Sequence, residues 1–89
     1  MNSHLDPAFL ALYRALSGHI REQACRNYRL WKADPSHPSL HFKRVGKRID
    51  AWSVRVGQGW RAVGIKVGDT IVWFWIGSHA DYDRIIEML

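Results

Sequence analysis

The sequence predicts an α+β fold in which an N-terminal helical hairpin packs on an antiparallel sheet of about four strands, in the order ααββββα. Three observations carry this expectation. Apolar residues recur at helical spacing between Asp6 and Asp34, with a single interruption at Ser17-Gly18. From Leu40 onward the period falls to two, punctuated by glycine-bearing turns. Between Ile71 and Ile76 six large apolar residues stand in a row. That run is too short to cross a bilayer and too β-branched and aromatic for a helix, so it reads as a strand buried on both faces.

Each element follows from local chemistry. Asp6 supplies an N-cap and Pro7 the first helical residue, after which Phe9, Leu12, Tyr13 and Leu16 form one apolar stripe. Ser17-Gly18 ends that helix and starts a second, whose stripe is Ile20, Ala24, Tyr28 and Trp31. Asp34-Pro35 stops it, because a residue before proline is pushed out of the α region. After a stiff connector with prolines at 35 and 38, Leu40 and Phe42 are expected to face the core from a first strand, with His41 and Lys43 on its other side. Arg44 to Asp50 is turn-like. Trp52, Val54 and Val56 alternate with Ser53 and Arg55 in a second strand, Gly57-Gln58-Gly59 is a hairpin, and Trp60 to Val67 is a third strand. Gly68-Asp69, glycine leading as a type II′ turn requires, opens the apolar fourth strand. Ser78 with Asp81 three residues on resembles a capping box, and Tyr82, Ile85, Ile86 and Leu89 then mark a closing helix.

Eighty-nine residues are expected to make one domain, 1–89, with one modest core. The single cysteine, Cys25, rules out an intramolecular disulfide and suits a reducing compartment; it reads as a small, half-buried helical residue. The first residues lack a basic n-region, so neither signal peptide nor membrane anchor is expected, and the chain reads as cytoplasmic. Thirteen Lys and Arg against eight Asp and Glu give a formal charge of +5 and favour a polyanionic partner. No cofactor is expected. His37 and His41 have a spacing seen at zinc sites, but Pro38 intervenes where loop turns to strand, and no glycine loop opens a helix to cradle phosphate.

The candidate site lies where three strands converge. The short Gly57 to Gly59 turn brings Arg55 and Arg61 together, and the apolar strand exits at His79 near their level. His41 and Lys43 extend the set into a basic, solvent-facing floor, with Arg44, Lys47 and Arg48 beyond it. Such a floor suits a phosphodiester, since guanidinium groups hold its non-bridging oxygens and oppose charge growing there. The competing reading for Arg61 is an ion pair with Asp69 or Asp81, and for His79 a helix-capping role. Of the five tryptophans, Trp60 or Trp31 is expected to be exposed enough to stack on a base.

The segments DPSHPSLHFKRV, WSVRVGQGWRAVGI and GDTIVWFWIGSHADYDRII resemble the RelE/ParE superfamily of bacterial toxins, specifically its RelE-like branch of cytotoxic translational repressors. The likeness runs from about Arg14 to the C-terminus. It implies a helical hairpin against a curved antiparallel sheet. It also implies a metal-independent, ribosome-dependent endoribonuclease in which a ribose 2′-hydroxyl attacks the adjacent phosphorus, so that translation is inhibited by mRNA cleavage. Arg61 matches the family arginine of the GYR segment, Arg55 the basic position of the preceding strand, and His79 a position held by arginine or histidine; Tyr82 corresponds to the aromatic that follows. The implied partners are an acidic antitoxin, the ribosome and mRNA, with no membrane or metal. Two alternatives remain open: a gyrase inhibitor of the ParE kind, and a non-catalytic RNA-binding relative. Many members begin with a β-strand, for which this chain offers only Met1 to Leu5.

Overall fold

The computed structural model describes residues 1–89. Its elements are β1 (Asn2–Leu5), α1 (Pro7–Arg14), α2 (Gly18–Ala33), β2 (Lys43–Arg44), β3 (Ala51–Arg55), β4 (Trp60–Val67), β5 (Thr70–Ser78) and α3 (His79–Glu87). One five-stranded sheet has the order β1-β5-β4-β3-β2. The hairpin of α1 and α2 covers one face, with α3 on the other. The expected ααββββα order thus holds with one addition. β1 is a fifth strand, and it pairs parallel to β5 from Asn2 opposite Thr70 to Leu5 opposite Trp73.

The helix starts are set as their sequences dictate. The Asp6 carboxylate accepts from the Ala8 N–H at 2.9 Å, and Ser78 Oγ accepts from the Asp81 N–H at 3.3 Å. Gly57, Gly59 and Gly68 all have positive φ, and Asp69 does not, which is the type II′ pattern at the β4–β5 turn.

The first expected strand is largely absent. Residues Pro38–Leu40 form a 3₁₀ turn, capped by His37 Nδ1 accepting from the Ser39 N–H, and His41 follows in the left-handed region at φ 46°. Only Lys43 and Arg44 remain to pair, opposite Ser53 and Trp52. Leu40 and Phe42 nevertheless both reach the core beneath the hairpin, as their spacing implied.

That core is aromatic. Trp31, 1% exposed, meets Trp73 edge to face at 5.3 Å and Phe42 at 5.6 Å, and stacks on Tyr28 at 6.3 Å. Trp31 is therefore a core residue and not a surface platform for a base. Its indole N–H and that of Trp73 are buried among these rings without a hydrogen-bond partner in the chain. Cys25 departs from expectation in the opposite sense, lying exposed on α2 where that helix meets Tyr13 of α1.

The second face of the sheet is not the open surface that alternation suggested. Ala51, Val63 and Tyr82 form a separate buried cluster there, flanked by Val45, Phe74, Trp75, Ile86 and Leu89. Ser53, expected to face solvent, is fully buried and accepts a hydrogen bond from the Tyr82 hydroxyl at 3.1 Å. The reason is α3, which lies back across the sheet. Along β5 the residues under the hairpin (Ile71, Trp73 and Ile76) are buried, and those facing α3 are half-buried. The alternation slips once. Val63 pairs with Trp75 but Gly64 with Trp73, leaving Phe74 as a bulge that turns both Phe74 and Trp75 to the α3 side. Gly64 is needed at this point, since a Cβ would stand 2.5 Å from the Ile71 side chain.

Candidate phosphodiester site at the β3–β4–β5 corner

The four-residue excursion from Val56 to Gly59 fixes the register of β3 on β4, and that register sets Arg55 directly opposite Arg61. Arg61 in turn faces Gly77 on β5, one residue before the strand passes into α3. The corner is held from both sides. The Asn27 side chain donates to the Arg55 carbonyl at 2.9 Å, and the His79 N–H donates to the Gly59 carbonyl at 2.9 Å.

Two like charges placed directly opposite across a sheet work against folding. Neither arginine forms an ion pair with a carboxylate: Asp81 instead engages Arg84 at 3.7 Å, so the expected alternative for Arg61 is not realised. The Arg61 guanidinium lies over the Tyr82 ring at 5.6 Å, and its Nη1 is buried with no hydrogen-bond partner. Buried donors are almost always satisfied, and a buried guanidinium nitrogen without a protein partner sets Arg61 apart from a solvated surface arginine.

His79 is the first residue of α3. Its ring sits 5.6 Å from that of Tyr82 at 64°, so the same aromatic plate touches both His79 and Arg61. The imidazole is about half exposed, with Nδ1 3.4 Å from the Asp83 carboxylate one turn on. Tyr82 itself is 5% exposed with its hydroxyl committed to Ser53, and contributes a fixed surface instead of a free phenol. The arrangement thus offers two cations, one imidazole and a rigid backing, the parts that proton transfer at a phosphodiester calls for.

The other anticipated residues divide by face. Lys43 pairs with Ser53 and so shares the α3 side with Arg55, extending the basic floor along the sheet edge. Arg44 points to the opposite side and pairs with Asp50 at 3.3 Å. Lys47 and Arg48 lie at the far end of β3, where Arg48 N–H meets the Leu89 carbonyl, roughly 13 Å along the strand from Arg55. His41 is in the left-handed bend before β2, and Trp60 packs half-buried under the helical hairpin, on the face away from Arg61.

Two residues at the corner escaped the sequence reading. Asp83 was legible, since it stands four residues beyond His79 on a helix. Trp75 was not, because the bulge at Phe74 brings it to this face. Its indole covers Gly77, where a Cβ would lie 2.6 Å from the ring, beside Arg61.

Comparison with known proteins agrees with the fold and supplies a family. A chain of the RelB-RelE antitoxin-toxin complex from Methanococcus jannaschii superposes with a TM-score of 0.71 at 20% identity, over 91% of this chain and 96% of that one. The isolated E. coli RelE toxin gives 0.64 at 17% identity, over 99% and 98%. A YoeB/ParE toxin from Agrobacterium tumefaciens gives 0.66 at 15%, over 89% and 99%. No curated protein matches in sequence. The sequence profile of the ParE-like toxin domain matches residues 18–84, from the start of α2 into α3, and the chain belongs to this family of the RelE/ParE toxin superfamily.

Proposed function

We propose that this toxin is a metal-independent endoribonuclease that cuts mRNA on the ribosome and thereby stops translation. The observation that carries the reading is the Arg61 guanidinium, with a buried, unpartnered Nη1, opposed by Arg55 and sharing the Tyr82 plate with His79. In this reading the ribose 2′-hydroxyl loses its proton and attacks the adjacent phosphorus, and the 5′-oxygen leaves and takes up a proton, giving a cyclic phosphate and a 5′-hydroxyl. His79 is the proton-transfer group. Arg61 and Arg55 hold the non-bridging oxygens and oppose the added charge of the phosphorane. Tyr82 positions both, and Trp75 offers a ring face on which a neighbouring base stacks. Lys43 contacts the RNA backbone close by, while Arg44, Lys47 and Arg48, with His41 and Trp60, serve more distant RNA contacts.

Residues 1–89 act as a single toxin domain, working in the cytoplasm and held in check by an acidic antitoxin, as the RelB-RelE complex from Methanococcus jannaschii suggests. Primer extension on mRNA from cells induced for the wild type or His79→Ala tests the proposal. Discrete, ribosome-phased cuts that vanish in the variant are expected. A second reading, inhibition of gyrase, is favoured by the ParE-like profile alone. It requires the opposite result: relaxed DNA on induction, no mRNA cuts, and toxicity indifferent to His79→Ala.

A further inference from the structure

The helical hairpin does not close fully on the sheet. A cavity of about 220 Å³ remains between them, and thirteen of its fourteen lining residues are hydrophobic, including Phe9, Tyr28, Trp31, Val54 and Trp73. On its outer side lies a polar cleft bearing Arg21, Arg26 and Arg29 with one carboxylate, Glu22. Tyr13 and Cys25 line both spaces. They form the boundary between them, the Tyr13 hydroxyl meeting the Cys25 sulfur at 3.0 Å and so joining α1 to α2.

None of the three arginines is paired with a carboxylate. Arg21 is anchored by donating to the Leu16 carbonyl at 2.8 Å, Arg26 reaches the Gln23 side chain at 3.1 Å, and Arg29 is exposed with no hydrogen-bond partner. An apolar cavity of ~150 Å³ in a protein core is enough to take up benzene. This one has room for a fused ring pair or a short acyl chain, and left empty it forfeits the dispersion contacts of its lining.

We propose that the cavity and cleft together bind a small amphipathic anion, an aryl or short-chain alkyl carboxylate, with its apolar body under the hairpin and its carboxylate among Arg21, Arg26 and Arg29. The charge of the cleft selects the head group and the size of the cavity selects the tail. A volume of about 220 Å³ suits a small molecule, and the residues shared by cavity and cleft, Tyr13 and Cys25, place its head group beside the arginines. In the unliganded chain the Cys25 hydrogen bond, followed by partial burial, holds the Tyr13 phenol above its ordinary range.

The test is an NMR titration of the full chain with 2-naphthoate and octanoate, and with the neutral alcohols of the same skeletons, following the indole N–H signals of Trp31 and Trp73. Saturable shifts at both are expected, with the alcohols about fivefold weaker. Arg29→Glu, a surface change that leaves the fold intact, should weaken the carboxylates about fivefold and leave the alcohols unchanged. Ala24→Leu, which fills the cavity, should abolish binding of all four; its melting temperature reports that it folds. Absence of saturable shifts, shifts that survive Ala24→Leu, or equal affinity for acid and alcohol in both wild type and Arg29→Glu would each overturn the proposal.

Discussion

At the scale of single residues, the corner of β3, β4 and β5 departs from the local rules that the rest of the chain obeys. Arg55 and Arg61 repel across the ladder, and an Arg61 nitrogen is buried without a partner. Residues that lower stability without local compensation are characteristic of sites kept for their chemistry. His79→Ala is therefore expected to reduce mRNA cleavage by about 10²- to 10⁴-fold, the usual worth of a positioned proton-transfer group, with the fold unchanged by circular dichroism. Arg61→Lys should retain charge but lose the planar fork, leaving cleavage well below wild type and above Arg61→Ala. Tyr82→Phe separates position from chemistry. It removes the bond to Ser53 and should cost about 1–3 kcal/mol by urea unfolding, since a buried hydroxyl loses its partner, while cleavage remains within about tenfold. A loss as deep as that of His79→Ala would make the phenol itself a reacting group. Much of this site was legible in the sequence because its geometry is local: one glycine turn sets Arg55 against Arg61, and one strand exit places His79. The burial of Tyr82 on Ser53 was not legible, as it depends on where α3 folds back.

Elements divide in the same way. α1, α2, β4 and β5 were readable from capping residues, proline stops and positive-φ glycines, all of which act within a few residues. Two elements were obscured by tertiary effects. β1 is four residues long and gains its ladder from a partner nearly seventy positions away, so no periodicity marks it, and only the family resemblance pointed to Met1 to Leu5 as room for a very short strand. The Leu40–Phe42 segment has the alternation of a strand, yet the proline-rich connector winds Pro38–Leu40 into a 3₁₀ turn and His41, in the left-handed region, ends it. The bulge at Phe74 is the most consequential unread feature, because it reassigns Trp75 from one face of the sheet to the other. Gly64→Ala tests how tightly that bulge is specified. The added methyl meets Ile71 and Trp73, so a loss of roughly 1–3 kcal/mol is expected in urea unfolding, accompanied by reduced cleavage as the register beside Arg61 shifts. Unchanged stability would mean that β5 slides freely against β4.

Over the whole molecule, two apolar layers sandwich the sheet, and the basic residues do not gather on one surface. The corner holds Arg55 and Arg61, the far end holds Lys47 and Arg48, and the outer side of α2 holds Arg21, Arg26 and Arg29. A net charge of +5 therefore described three separate regions, and composition alone had no means of dividing them. No helix is long and apolar enough to cross a membrane. The pairing of β1 with β5 bears on how such a chain survives being made. Without those four residues the most hydrophobic strand of the protein would present a bare row of amide and carbonyl groups to any other copy. β1 is thus a selvedge that keeps one molecule from being stitched to the next. Removing residues 1–5 should produce a ladder of concentration-dependent aggregates in sedimentation velocity that the intact chain does not form, and a truncated chain that stays dispersed would show that the border is sealed some other way.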